Sequence, residues 1–236
     1  MKPRKPTLFR GLHFRPEIIV TCVRWYLRFS LSLREVEELM IERGLAVDHT
    51  TIWRWSQKYA PLVYQRLKGK LKSKSTTWHI DETYVRVAGR WMYLFRAVDG
   101  HGDTVDFYLS ETRDREAAKA FLEKALSNRD NRPPRVLCMD GSRIYPVAIR
   151  DLQAEGKLHP CRRRTRQYAN NRIESDHRSI KRRLRATEGP RTLRTARRVI
   201  QGIEAVHIIG KGQVLGATRA NLATHSIAFA LLFGII

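Results

Sequence analysis

Cysteine is scarce in this 236-residue chain, and the three that occur, Cys22, Cys138 and Cys161, lie far apart. No two of them have the CxxC spacing of a zinc site, and they are too few for a disulfide framework. Cys22 and Cys138 lie in apolar segments, where a free cysteine usually behaves as a small core residue. The cysteine pattern therefore excludes zinc-finger and disulfide-scaffold classes and suits a reducing cytoplasm.

Long apolar runs are absent as well. The C-terminal stretch SIAFALLFGII is about half as long as a bilayer-spanning helix requires. We interpret it as a packed terminal helix or as a self-association surface. No signal peptide opens the chain, so we expect a cytoplasmic protein without a membrane partner.

Acidic residues are outnumbered by basic ones: 23 Asp and Glu stand against 45 Lys and Arg, which gives a formal net charge of +22. A hydrophobic content of 42% is enough for a globular core, so the basic charge does not indicate disorder. An excess this large predicts a polyanionic partner, and nucleic acid is favoured over a membrane surface.

Helical patterns fill residues 16–60. The second of three opens with the capping-box pair Ser32 and Glu35 and ends at Gly44, and the third begins near Asp48. Two short helices joined by a glycine-containing turn are typical of a helix-turn-helix.

We therefore predict a helix-turn-helix DNA-binding domain over residues 1–62, followed by a basic linker over 63–75. The candidate DNA-contacting residues on the exposed side of the third helix are Thr50, Thr51, Arg54 and Lys58. The alternative interpretation is a small three-helix bundle with a charged outer face, and the basic linker favours DNA binding over it.

Strand-like periodicity begins at residue 76, where three segments rich in β-branched and aromatic residues predict an antiparallel meander. A helix, a buried strand (RVLCMD), a second helix and a short strand near KLHPC follow, and two basic helices close the region at about 169–187 and 192–209. This order, β-β-β-α-β-α-β-α, predicts an α/β domain over 76–210 with a ribonuclease-H-like mixed sheet flanked by helices. Residues 211–236 form an apolar tail.

Three acidic residues occupy distinctive positions. Asp81 interrupts the first predicted strand, Asp140 closes the fourth, and Glu174 begins a densely basic helix. In the predicted topology the first and fourth strands are neighbours, so Asp81 and Asp140 would face one crevice and the helix would bring Glu174 to it. Hard carboxylate oxygens suit Mg²⁺ or Mn²⁺, and two such ions can serve an in-line phosphoryl transfer.

Several neighbours of these acids have alternative interpretations. His177, Arg178 and Lys181 share a helix face with Glu174 at spacings i+3, i+4 and i+7, which makes them, with Arg182, candidate DNA-binding residues. Glu82 is expected to point to the opposite sheet face and to be structural. Asp176 is expected to turn away from the Lys181 side. A set of unrelated salt bridges is the alternative to a metal site.

The segment WHIDETYVRVAGRWMYLFRAVDGHGDTVDFYLSETRDREAAKAFLEKAL resembles the core of DDE transposases of the IS-six family of insertion sequences. NNRIESDHRSIKRRL resembles the third-acid motif of that family and GIEAVHIIGKGQ its C-terminal helix, so the resemblance runs from about residue 10 to 215. Gly141 stands where the family usually has a lysine, and RATEGPRTLRTA lacks the aromatic residues expected there.

The resemblance implies that Asp81, Asp140 and Glu174 form the catalytic triad, and that Lys181 lies near the cleaved phosphate. It also implies metal-dependent cleavage and strand transfer at terminal inverted repeats, by a homodimer or larger homo-oligomer on transposon ends and target DNA. The expected location is the nucleoid in a prokaryotic cytoplasm. The alternatives are a metal-dependent nuclease of the same fold and a catalytically inactive or regulatory DNA-binding relative.

Overall fold

The computed structural model describes residues 6–72, 74–165, 170–186, 192–215, 218–219 and 221–235. After a short 3-10 helix at Thr7–Phe9, the helices are α1 (Pro16–Arg28), α2 (Leu33–Ile41), α3 (His49–Leu67), α4 (Arg115–Ser127), α5 (Ile144–Ala154), α6 (Asn171–Arg185), α7 (Leu193–Gly210) and α8 (Leu222–Leu231). The strands are β1 (Thr77–Val87), β2 (Arg90–Asp99), β3 (Thr104–Ser110), β4 (Val136–Cys138) and β5 (Arg162–Arg164). The chain divides into two compact units, Met1–Leu71 with Arg182–Ile236, and Lys72–Lys181.

The predicted starts of α2 and α3 are confirmed in the first unit. The Ser32 N–H donates to Glu35 Oε2 at 2.6 Å, and the Glu35 N–H donates to Ser32 Oγ at 3.2 Å, which completes the capping box. Asp48 caps α3 by accepting from the Thr50 N–H at 2.8 Å. Gly44, with φ 71°, lies in the turn between the two helices, where a left-handed backbone favours glycine.

Helix α3 is longer than the sequence predicts. It reaches Leu67, well inside the segment expected to be a linker. The reason is burial: Val63, Tyr64 and Leu67 continue the apolar stripe of the helix and are nearly or fully buried. The basic residues between them hide this stripe when the segment is judged by its composition.

Helix α7 lies in the first unit, which differs from the predicted placement of this helix in the domain over 76–210. It packs against α3 and α1. The approach is close at Gly202, where an added Cβ would lie 2.5 Å from the Cβ of Ala60. The sequence shows that α7 has an apolar face, but it does not show which helices cover that face.

The apolar C-terminal segment forms α8, as the terminal-helix interpretation predicts. Phe229 and Phe233 are buried, and the Phe233 ring lies 6.0 Å from that of Phe9. Within the described ranges, no helix combines the length and the apolar character that crossing a bilayer needs.

The second unit contains a five-stranded sheet of order β3-β2-β1-β4-β5. β1, β2 and β3 are antiparallel, whereas β4 runs parallel to β1 and β5 parallel to β4. The order of strands and helices and this mixed sheet confirm the predicted ribonuclease-H-like fold. β5 lies slightly later in the chain than the strand predicted near KLHPC.

One side of this sheet packs on α4 and α5. Phe95 of β2 contacts Phe121 of α4, with ring centroids 6.0 Å apart, and Tyr145 of α5 at 6.3 Å. β1 and β2 are joined by a two-residue turn in which Ala88 has φ 49° and Gly89 has φ 79°. Positive φ at both positions is typical of a type I′ hairpin turn, whose twist matches that of the strands.

Candidate active site

Asp81 and Asp140 are brought together by the parallel pairing of β1 and β4. His79 of β1 is paired with Cys138 of β4, and the two aspartates each follow two residues later. Ligand oxygens of Asp81, Glu82 and Asp140 all lie within 4.8 Å of one another. The structure thus places the first two predicted acids next to each other on the neighbouring inner strands β1 and β4, in a cluster that also contains Glu82.

Glu82 differs from its predicted role, because its carboxylate reaches this cluster. Its side chain is nearly buried at 3% exposure and forms an ion pair with Arg113. The Tyr145 hydroxyl donates to Glu82 Oε2 at 2.5 Å. Strand alternation predicts the direction in which a side chain leaves the backbone, but it does not predict where the end of a long carboxylate side chain lies. With these partners, Glu82 has less freedom to bind a cation than its two neighbours.

Glu174 is located near the cluster but outside it. It lies on the exposed side of α6, and its negative charge contributes to a raised pKa of Asp81. Its oxygens are not among the atoms that lie within 4.8 Å in the described Asp81 cluster. The structure therefore brings two of the three predicted acids together and places the third beside them.

The pKa of Asp81 is raised to about 7. Burial of the carboxyl is the largest cause, and the negative charges of Glu82, Asp140 and Glu174 add to it. A backbone hydrogen bond from Glu82 opposes the rise. Crowded carboxylates of this kind favour either a proton or a bound cation. One oxygen of Asp140 accepts the Ser142 N–H at 3.0 Å, which fixes the side chain at the end of β4.

Helix α6 is held on the sheet by a buried ion pair. Arg96 of β2, whose side chain is fully buried, lies 2.7 Å from Asp176 Oδ2. The Asn170 side chain just before the helix donates to the Ile80 carbonyl at 3.3 Å. Asp176 thus turns away from the exposed side of α6, as predicted. Arg96 was not among the predicted site residues, although a charged residue inside the apolar run WMYLFRAV was an available signal.

His177 is buried, with an exposed fraction of only 5%. Its Nδ1 atom lies 3.8 Å from Asp81 Oδ2, and burial together with the charges of Arg96 and Lys181 lowers its pKa to about 3. It is therefore a neutral side chain beneath the cluster and does not lie where a DNA-contacting residue is expected. The buried side of α6, which carries Ile173, His177 and Ile180, takes the histidine inward.

The other predicted DNA-binding residues remain accessible. Arg178 and Arg182 are exposed on α6, and Lys181 is partly exposed. On α3, Thr50, Arg54 and Lys58 are exposed and Thr51 is partly exposed.

Two of these side chains already have partners. The Thr50 hydroxyl bonds to Asp48, and the Lys58 ammonium lies 5.2 Å from the ring centroid of Tyr59.

Comparison with known proteins identifies the family. The profile of a family described as a DDE domain matches residues 75–213. A transposase for insertion sequence-like element IS431mec from Staphylococcus aureus strain Mu50 is 39% identical over 203 residues, which are 86% of this chain and 88% of the relative. A transposase for insertion sequence element IS257 in transposon Tn4003, also from Staphylococcus aureus, has the same identity and coverage.

Among solved structures, the catalytic core domain of BIV integrase is similar with a TM-score of 0.44 and 16% identity, over 66% of this chain and 99% of that domain. The profile match covers more than half of the chain, and the 39% identity extends over most of it. The chain belongs to the DDE transposases of the IS-six family of insertion sequences.

Proposed function

We propose that this protein cleaves DNA at the terminal inverted repeats of an insertion sequence and joins the freed 3′-hydroxyl to target DNA, with Asp81, Asp140 and Glu174 as catalytic residues. The observation that carries the proposal is the pair of aspartates on β1 and β4, whose oxygens lie within 4.8 Å in a chain of the DDE family. The relatives' function as transposases supports the same reaction.

The donor set of the cluster fits a divalent cation. Asp81 and Asp140 offer carboxylate oxygens, which are the preferred ligands of hard divalent ions. The raised pKa of Asp81 reflects burial first and then the negative charges of Glu82, Asp140 and Glu174, and a bound cation would offset both. We propose Mg²⁺ or Mn²⁺, as two ions. The chemistry supplied there is activation of the attacking oxygen and stabilisation of the departing 3′-oxygen.

The residues around the cluster prepare it for a phosphate. Glu174, on the exposed side of α6 and close enough for its charge to raise the pKa of Asp81, would be the third carboxylate ligand. Lys181, partly exposed on the same helix, holds a non-bridging phosphate oxygen beside the acids. Arg178 and Arg182 follow the adjoining backbone. The neutral His177 supports Asp81 from below without adding a competing positive charge.

The helices α2 and α3 provide the second part of the proposed function. Thr50, Thr51, Arg54 and Lys58 of α3 contact the inverted repeat, with α3 as the recognition helix. Because transposition requires two ends to be held together, we propose a homodimer or a larger homo-oligomer on DNA.

A strand-transfer assay tests this function with the element's own ends, a supercoiled target and Mg²⁺ or Mn²⁺. Joined products are expected from the wild type and from the control Glu123→Gln, whose carboxylate pairs with Lys157 on the surface. Asp81→Asn and Glu174→Gln should bind ends and form no joined product. Cutting without joining would instead indicate a nuclease, and end binding without cutting in the wild type would indicate a regulatory relative.

A further inference from the structure

Three aromatic side chains form an exposed surface strip on the β1–β2 hairpin: Tyr84, Trp91 and Tyr93. Tyr84 is 51% exposed and Trp91 is 62% exposed, and Tyr93 is partly buried. Tyr84 is paired directly with Tyr93, with ring centroids 5.3 Å apart, and its ring lies 6.4 Å from that of Trp91. Large aromatic side chains exposed together are uncommon unless they bind something.

The strip begins where the helices stop covering the sheet. Phe95, two residues after Tyr93 on the same side of β2, is fully buried against Phe121 and Tyr145. Closer to the turn, Tyr84 and Trp91 have no such cover and remain exposed. Tyr84 and Trp91 therefore lie outside the packed core, whereas Tyr93 packs against its edge and joins the strip to it.

The strip adjoins the candidate active site through Glu82, which leaves the side of β1 opposite to Asp81 but whose carboxylate reaches the cluster. Glu82 precedes Tyr84 by two residues of β1, so the two side chains leave the same side of the strand roughly 7 Å apart. Glu82 in turn reaches the oxygens of Asp81 and Asp140. A DNA strand with a phosphate at the acidic cluster would thus have its neighbouring nucleotides within reach of Tyr84 and then of Trp91.

The charge around the strip suits a nucleic acid. Residues 84–93 contain two arginines, Arg86 and Arg90, and no acidic residue. The Arg86 guanidinium lies 5.9 Å from the centroid of the Trp91 ring, and Arg113 lies at the Glu82 end. Aromatic rings next to cationic side chains are the arrangement by which proteins bind single-stranded nucleic acid, because every base offers a face for stacking.

We infer that the Tyr84–Trp91–Tyr93 strip stacks against unpaired bases of the DNA strand that adjoins the scissile phosphate. This inference rests on the proposed function for the position of that strand. It specifies the form of the bound DNA: the nucleotides beside the cleavage point are single-stranded and not part of a fully paired duplex. The rings separate these bases from their complement while Arg86 neutralises the adjoining phosphates.

Binding of the full-length protein to three fluorescent DNA probes tests the inference in Ca²⁺, which allows binding without relying on catalysis. The probes are a plain duplex, the same duplex with six unpaired thymidines at a 3′ end, and the same duplex with six at a 5′ end. The wild type should bind one overhang probe about tenfold more tightly than the plain duplex, as expected for one or two stacked bases.

The variants separate stacking from folding. Trp91→Leu combined with Tyr84→Leu keeps apolar side chains on the strands and should remove the overhang preference, whereas Trp91→Phe should retain most of it. The melting temperature of each variant, measured alongside, shows whether the hairpin is intact. Replacement of a thymidine by 5-iodouracil in the preferred overhang should give a photo-crosslink to the peptide that contains Trp91.

An equal affinity for all three probes, or a preference that survives the double leucine variant, would overturn the inference. A loss of oligomer in the leucine variant with unchanged probe preference would mean that a second copy of the chain covers the strip. These outcomes are independent of strand transfer. If the wild type fails to join DNA but still prefers an overhang probe in a Trp91-dependent way, the proposed function is refuted and the inference of a stacking surface is supported.

Discussion

Two clusters of possible metal ligands occur in the described parts of the chain, and they differ in how their charge is balanced. One contains Asp81, Glu82 and Asp140, and the other contains Glu37, Asp48 and His49 at the junction of α2 and α3. In both, the ligand atoms lie within 4.8 Å of one another. Proximity alone therefore does not distinguish a metal site from an ordinary polar junction.

The α2–α3 cluster is accounted for by local structure. His49 Nδ1 lies 2.9 Å from Glu37 Oε2, and Asp48 accepts hydrogen bonds from Thr50 at the start of α3. Hydrogen bonds from Thr50 are the main reason that the pKa of Asp48 is lowered.

The pKa of Asp81 moves in the opposite direction, to about 7, since burial and like charges dominate there. A buried carboxylate with a raised pKa therefore separates the candidate active site from the α2–α3 cluster, whereas the short distances between ligand atoms do not.

The largest expected effect comes from Asp81→Asn. The loss of a side chain that only hydrogen-bonds to a metal ligand typically lowers activity roughly 10- to 100-fold. Strand transfer should fall by more than this in Asp81→Asn, because the substitution removes a proposed ligand itself. Asp48→Asn, the matched change in the other cluster, should leave the catalysis of pre-bound DNA unaltered. Single-turnover strand transfer at saturating enzyme measures both. Equal losses in the two variants would remove the distinction between the clusters.

The next effect in size concerns the ion pair that holds α6 beside the Asp81 cluster. Arg96→Met leaves the carboxylate of Asp176 without this cation in a nearly buried position, and the free energy of unfolding should fall by about 3–5 kcal/mol. Arg115→Met is the control, because Arg115 pairs with Asp151 in a more exposed position and should cost less than about 1 kcal/mol. Urea denaturation gives both values. Similar losses in the two variants would contradict the conclusion that the buried Arg96–Asp176 pair holds α6 on the sheet.

A pH effect should distinguish the two clusters next. The pKa of Asp81 is about 7 in the folded chain and near 3.8 in the unfolded chain, so between these values the folded state binds more protons. The contribution of Asp81 to stability therefore falls as pH rises through this window. Without metal, the melting temperature of the wild type relative to Asp81→Asn should decrease from pH 4 to pH 7.

Addition of Mg²⁺ at pH 7 should abolish this difference, because a bound cation replaces the proton. The same comparison with Asp48→Asn should show no such Mg²⁺-dependent change. A wild-type melting curve that is insensitive to Mg²⁺ at pH 7 would count against a cation at the Asp81 cluster.

The smallest effect is structural and belongs to the α2–α3 cluster. Asp48→Ala removes the N-cap of α3, and we expect the melting temperature to fall by about 2–4 °C. Asp48→Ser keeps a capping side chain and should restore most of the loss. A larger fall that Mg²⁺ reverses would show that the second cluster also binds a cation.

The sequence predicts the parts of the fold that depend on local patterns. Ser32, Glu35 and Asp48 predict helix starts because caps act within three residues. The neighbouring positions of β1 and β4 follow from the order of elements, and they bring Asp81 and Asp140 together. The fold and two of the three acids of the candidate cluster are therefore predictable from the sequence.

The parts that were missed depend on contacts between distant residues. The burial of His177 depends on which side of α6 meets the sheet, and both sides of that helix contain polar residues. The approach of Glu82 to the cluster depends on Tyr145 and Arg113, which are far away in sequence. The partner of α7 likewise cannot be read from its own apolar face.

The tight turn at Ala88 and Gly89 has a consequence for how copies of this gene decay. It sets the pairing in which Asp81 lies opposite Arg96 and Glu82 opposite Phe95. Re-pairing of the hairpin one residue out of step would put the side chains of β1 and β2 out of register, so that Arg96 no longer shares a side of the sheet with Asp81. We therefore expect that the loss of a single codon at this turn impairs the proposed activity although every acidic residue is kept, so that the presence of the three proposed catalytic acids does not by itself identify an active copy.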